Sequence, residues 1–553
     1  MAPSPTETPN HLGSPTDERP QATLEDAKNR PPRWRLDRDT TVVLLVSVLF
    51  TLPIWLGTHP PMTDYPEHLS MASILRWYHD PARHLVENYT FAFSRPNTAF
   101  VFLVAALSYL MPLGIAGQLL MSVAVVATGL AGLALARHAG RPGWYGLFAL
   151  IAVYNYAFFF GFVNYILAVP LFVYGIVLAD RLLGRPMGWR GWIGLAVYGA
   201  SFYFVHLQVL FLFVCVVGWL AMLHSRRWRD VLPRCSALLP VLLVGAFHFF
   251  DRDPQAFGYR ESQIYFSPVE RDLTFDRILA IPRFSFGEHT HNEQWLVFLA
   301  ALLSILWLFR LKRPADGVPA VAHEGGVWTR ARSILWRHRF ATLGAWFLAG
   351  YLFVPSTFIG CYVYQRLVAL VWFVIPALLP RIDASRSRLA KVLVATAVSA
   401  QLLVVSDRAV ALDREARDGY DLIRQTEPGK SLISLVIAES DPTSDAPPPF
   451  LHFAAHYLAA KGGRISSSFS ELFVSSVQLR PGQEFEDIHT ALSDFEPALF
   501  RFDDFGYHFD YFLFHGDFAK LGSIFGHGMR KLTWKVQGEW ALLWRQPQSV
   551  VVR

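Results

Sequence analysis

The chain has 553 residues, of which 53% are hydrophobic, 15% aromatic and only 17% charged. That is more apolar than a soluble protein requires. The net charge of +6 is carried by short basic runs between apolar segments, where a positive-inside bias would put them, so nucleic-acid binding is excluded as its explanation. Cys215, Cys235 and Cys361 lie in or beside apolar runs, at spacings that suggest neither a disulfide framework nor a metal site.

Residues 1–39 are rich in Pro, Thr, Ser and charge and have no apolar periodicity, which predicts a disordered tail. Arg30, Arg33, Arg35 and Arg38 precede the first apolar run and hold this tail on the cytoplasmic side. A span over about 41–57 then leads outward to a first external loop, 58–114. In it Met71, Ile74, Leu75 and Tyr78 form an i, i+3, i+4, i+7 stripe, which predicts an amphipathic interfacial helix over 66–79. The run 98–112 is short for a span and is expected to stay external as a second juxtamembrane helix.

Basic punctuation sets the remaining spans at 115–136, 144–160, 163–183, 192–205, 207–223, 231–250, 295–309, 340–356, 367–380 and 389–406, with a second long external loop at 251–294. The expected total is about eleven spans, so residues 407–553 emerge on the side opposite the N-terminus. This last part mixes helical stretches (408–426, 452–460) with β-rich runs at 431–437, 509–514, 532–536 and 540–544, which predicts a small α/β domain. The fold class is therefore a polytopic α-helical membrane protein, 40–406, with an external C-terminal α/β domain.

The chemistry concentrates in Thr63-Asp64-Tyr65-Pro66-Glu67-His68-Leu69, directly after the first span. A carboxylate at a membrane face can act as general base toward an acceptor hydroxyl. Asp-x-x-Glu is equally a capping box, with Asp64 as N-cap and Glu67 reaching back to it. His68 is a candidate donor to an anion. Arg366 at an outer helix end, and His206 with Gln208 at an outer hairpin tip, are candidates for holding an anion. The second loop adds Arg260, Arg271, Arg277, Arg283, His289 and His291. Asn155 and Asn164 stand among the aromatics of 154–165, a composition that suits a sugar or a polyprenyl chain as well as an interfacial belt. Asp251 and Asp253 form a D-x-D string that, with Asp64, supplies candidate metal ligands; no cofactor is certain, and Mg or Mn is the divalent ion considered.

The short first span, the acidic residue in its Thr63–Leu69 context, two juxtamembrane helices, about eleven spans and the external C-terminal domain together resemble the GT-C superfamily of glycosyltransferases, whose bacterial members include the aminoarabinose transferase type. The resemblance implies an inverting transfer of a sugar from a polyprenyl phosphate to a glycan or lipid acceptor at the periplasmic face of the bacterial inner membrane. It gives Asp64 the role of base or metal-associated acid. The family's commoner acid pairs are adjacent or one residue apart, whereas Asp64 and Glu67 are separated by two. The alternatives are a transporter or flippase of a lipid-linked glycan, disfavoured by the scarcity of charges within spans and of internal repeats, and a non-catalytic scaffold of envelope assembly.

Overall fold

A computed structural model of the chain describes residues 37–225, 227–250, 275–287, 292–311, 327–354, 363–382, 387–437, 449–472, 475–483, 485 and 497–545. Its helical part comprises α1 (Arg38–Leu49), α2 (Tyr65–Arg76), α3 (Ala99–Leu107), α4 (Leu113–His138), α5 (Val163–Leu183), α6 (Trp189–Val205), α7 (Leu207–His224), α8 (Leu238–Phe250), α9 (Gln294–Arg310), α10 (Arg339–Phe353), α11 (Val363–Leu378), α12 (Arg388–Arg424) and α13 (Ala454–Lys461), besides the helix Val327–Arg337 and shorter segments. Among the described residues, five helices are long and apolar enough to cross a bilayer: Arg38–Trp55, α4, α5, α7 and α12. Shorter apolar helices stand at Leu238–Phe247, Gln294–Arg310 and Val363–Leu378, where further spans were expected.

The basic ends of these helices meet at one buried acid. Asp180, at the end of α5, lies 2.7 Å from His138 Nε2 at the end of α4 and 2.9 Å from His224 Nε2 at the end of α7. It also accepts hydrogen bonds from Arg339 Nε and Nη2 at the start of α10. Four helix ends gathered on one carboxylate must share one face of the bundle, as the basic punctuation predicted. The carboxylate is well matched, because hydrogen bonds and the guanidinium replace the water it has lost.

Three expectations change. The run 144–160 is not one span but a turn at Gly143–Tyr145, a short helix Gly146–Ile151 and a one-turn helix Tyr156–Phe160. Asn155 causes the break: its Oδ1 caps the second helix by accepting from Ala157 N and Phe158 N at 2.8 and 3.3 Å, an alternative to continuing the helix. The interruption is tolerated in an apolar bundle because its freed groups find protein partners. Gln401 Nε2 donates to Tyr154 O and Phe286 O, both at 3.0 Å.

Secondly, the segments 389–406 and 408–426 form the single helix α12, 37 residues long. At 1.5 Å per residue it is roughly twice as long as a bilayer core is thick, so its apolar first half spans and its charged second half projects. Thirdly, α2 does not lie open on an interface. It is buried almost all round, from Tyr65 to Ile74, because it packs between α3 and α13.

The C-terminal part forms a five-stranded sheet in the order β3-β2-β5-β7-β6: β2 (Ser431–Ile437), β3 (Arg464–Ile465), β5 (Tyr511–Gly516), β6 (Leu532–Gln537) and β7 (Trp540–Arg545). β2 runs parallel to β3 and β5, while β7 is antiparallel to β5 and β6. A second, two-stranded sheet pairs β1 (Tyr89–Phe91) of the first loop with β4 (Val477–Leu479). Gly463 N donates to Arg83 O at 2.8 Å, and Ser73 Oγ to Ala459 O at 2.7 Å. The first loop and the C-terminal part are thus stitched into one layer over the helical bundle, with the Asp64 segment inside it.

Candidate active site

Asp64 is held by its backbone. Thr63 N donates to Phe159 O and Asp64 N to Phe160 O, at 3.0 and 2.9 Å, so the loop entering α2 runs along the one-turn helix 156–160. That close approach requires Gly161, which has φ +95° and would bring a Cβ to 2.6 Å from Asp64 N. Gly161→Ala is expected to cost about 1–2 kcal/mol from the left-handed backbone alone, and more from the clash. A lowered thermal midpoint together with reduced turnover in membranes would show it; an unchanged midpoint would mean that the loop moves aside freely.

The capping-box expectation does not hold. Asp64 has helical backbone angles, and its side chain makes no cap hydrogen bond. Its own N–H, the group a reaching Glu67 would satisfy, donates to Phe160 instead. Glu67 is fully buried and turns to the C-terminal part, where Oε2 accepts from Phe469 N at 2.9 Å and Ser468 Oγ at 3.2 Å. The two acids therefore do different jobs. Glu67 clamps the 468–470 turn onto α2, whereas Asp64 Oδ1 lies 3.4 Å from His452 Nε2.

Histidines surround the acid. His68 meets Phe100 and Phe469 edge-on, at 5.9 and 5.6 Å between ring centroids, and His452 meets the same Phe469 at 5.3 Å. A second group joins His59, Tyr420 and His456, with the two imidazoles 4.5 Å apart. A cleft beside Asp64 is lined by His59, Thr63, Arg408, Asp413, Tyr420 and His456 among others. Arg408 stacks over Phe159 at 4.4 Å.

Burial lowers His59 and His452 from 6.5 to about 4. Burial and the neighbouring His452 lower His68 to about 3. All three are neutral at pH 7, so His452 meets Asp64 as an imidazole, not as a counter-charge. Because the folded values lie below the unfolded one, the unfolded chain binds more protons in acid. Their contribution to stability is complete above about pH 6.5 and is lost as the pH falls toward 4. The thermal midpoint is expected to drop across that window, and to drop less in a His59→Gln/His452→Gln variant; equal slopes in both proteins would count against this origin.

A second cluster sits at the same end of the bundle. Arg366 is buried, donates to Gln208 Oε1 at 3.0 Å and stacks over Phe162 at 3.8 Å. Gln208 in turn donates to Val363 O. His206 is also buried, in extended backbone between α6 and α7, and meets Tyr165 edge-on at 5.4 Å. Tyr165 donates its hydroxyl to Arg366 O. The structure thus brings His206, Gln208 and Arg366 together, and the stretch 159–165 links them to Asp64.

Asn155 and Asn164 hold backbone. Asn155 caps the one-turn helix, and Asn164 bridges Phe100 N and Asn97 O, at 3.0 and 2.6 Å. Arg277 is likewise occupied, capping α10 through Tyr351 O, Leu352 O and Val354 O. Arg283 stacks on Phe284. Asp251, Asp253, Arg260, Arg271, His289, His291 and Cys361 lie outside the described residues.

Sequence reasoning missed His452, the Ser468–Phe469 turn and Arg408. Only His452-x-x-x-His456, two imidazoles at helical i, i+4 spacing, could have signalled the first; the others come from distant parts of the chain. No family model matches the chain, and no curated protein matches it. Crystal structures of ArnT from Cupriavidus metallidurans, one bound to undecaprenyl phosphate and one in the apo state, are similar to it with TM-scores of 0.50 and 0.51, at 12% and 11% identity. Each match covers 92% of this chain and 99% of the other. The chain shares the fold of those structures.

Proposed function

We propose that this protein is a membrane glycosyltransferase that moves a sugar from a polyprenyl phosphate to an acceptor hydroxyl at the face on which the C-terminal layer lies. The observation that carries the reading is the setting of Asp64, backbone-clamped next to Thr63, which lines a cleft, in a fold shared with a protein crystallised with undecaprenyl phosphate. Asp64 takes the proton of the acceptor hydroxyl, and that oxygen attacks the anomeric carbon as its bond to the lipid phosphate breaks. One displacement inverts the configuration, and the electron pair leaves on the phosphate.

Neutral His452 orients the carboxylate without quenching its charge. Buried cations suit the departing phosphate, and Arg366, with Gln208 and His206, is the group assigned to it. Glu67 and the two asparagines are positioning residues. The face is the periplasmic one if the basic ends gathered at Asp180 are cytoplasmic, as a positive-inside orientation requires.

The test is to offer the protein in lipid nanodiscs a panel of polyprenyl-phosphate sugars with glycan and lipid acceptors. Free polyprenyl phosphate is expected to appear in step with glycosylated acceptor of inverted configuration. Retained configuration would remove the single displacement, and no release from any donor would favour a transport or scaffold role.

A further inference from the structure

Outside the lining of the cleft beside Asp64, three side chains from three elements converge: Glu415 from the projecting half of α12, His515 from β5 and Glu539 from the β6–β7 turn. His515 Nε2 lies 3.4 Å from Glu415 Oε1 and 3.7 Å from Glu539 Oε2, and one ligand atom from each residue lies within 4.8 Å of the others. For a zinc-sized ion bound at about 2.1 Å, adjacent tetrahedral ligands stand roughly 3.4 Å apart. The His515–Glu415 edge already has that length, and the His515–Glu539 edge is slightly longer.

His515 is 4% exposed, and its ring lies against Trp540 and Phe450, with centroids at 4.3 and 5.4 Å. Neither ring nitrogen makes a hydrogen bond among the described residues, although Nε2 faces both carboxylates. A buried imidazole aimed at two acids without bonding either is poorly satisfied as it stands.

The third ligand is held in place by its turn. Gly538 adopts φ +55°, and a Cβ there would fall 2.2 Å from Asp418 Oδ2. Gln537 Nε2 donates to Asp418 Oδ1 at 3.0 Å, and Trp540 Nε1 to Glu415 O at 2.8 Å. The hairpin tip is thereby fixed against α12 on both sides of Glu539.

We propose that Glu415, His515 and Glu539 form a binding site for a divalent transition metal of the zinc class, which fastens the projecting half of α12 to the sheet. One imidazole and two carboxylates suit a borderline ion. Both glutamates are exposed, which leaves a further position to water.

The full-length protein in nanodiscs, stripped with a chelator, is titrated with zinc, separated from free ion and assayed for bound metal; a parallel cobalt titration reads coordination geometry by absorption. Wild type is expected to retain one zinc per chain, to melt higher with it and to give a tetrahedral cobalt spectrum. Glu539→Gln, in an exposed turn where folding is not at stake, should weaken binding by roughly tenfold or more, and Asp64→Asn should leave it unchanged. Wild type that retains no zinc would overturn the site, as would Glu539→Gln and Glu415→Gln/Glu539→Gln proteins that retain it as well as wild type. Zinc lost from Asp64→Asn instead would move the site to the Asp64 cleft.

Discussion

Asp64→Asn is expected to lower the rate of sugar transfer by roughly 10²- to 10⁴-fold, the usual contribution of a general base, while the protein still inserts and melts as wild type. The amide keeps the volume of the carboxylate and loses only its basicity. The fold should tolerate it because the side chain of Asp64 caps nothing; its segment is held by the backbone bonds to Phe159 and Phe160. Donor affinity, which the proposed function assigns to Arg366 and its neighbours, should change little, so the loss should fall on kcat rather than KM. Release of polyprenyl phosphate at the wild-type rate would reduce Asp64 to a framework residue.

Asp180→Ala should be the most destabilising single change in the bundle. The carboxylate is buried and shared by His138, His224 and Arg339. Its removal strands the Arg339 charge in a poorly hydrated place, and breaking one partner of a buried ion pair typically costs about 3–5 kcal/mol. Asp180→Asn, which keeps one acceptor oxygen, should lose less. Thermal unfolding in nanodiscs ranks the three proteins; a wild-type midpoint for Asp180→Ala would show that water or lipid headgroups already serve these groups.

Much of this architecture was legible in the chain because it rests on local signals. Apolar runs and basic punctuation placed most of the helices, since both reflect the cost of burying charge in lipid. β2 was placed at its observed bounds, because a short run of Leu, Ile and Val, broken only by Ser434, is how a strand buried on both faces reads. The exceptions are instructive. The break inside 144–160 depends on partners such as Gln401, far away in sequence, that make a broken helix affordable within the bundle. The continuity of α12 through Asp407 and Arg408 was hidden because its spanning half ends at charges while its helical hydrogen bonding does not.

The sequence by itself determined a membrane fold of many helices with a C-terminal α/β portion, and singled out Asp64 as the acid to test. Composition and period carry that information residue by residue. Only the tertiary structure decided what Asp64 and Glu67 each contact. One faces His452, and the other clamps Ser468 and Phe469, some four hundred residues away in the chain. The same holds for Glu415, His515 and Glu539, whose convergence depends on how a helix docks against a sheet. Such pairings are fixed by packing between elements, and no local pattern records them.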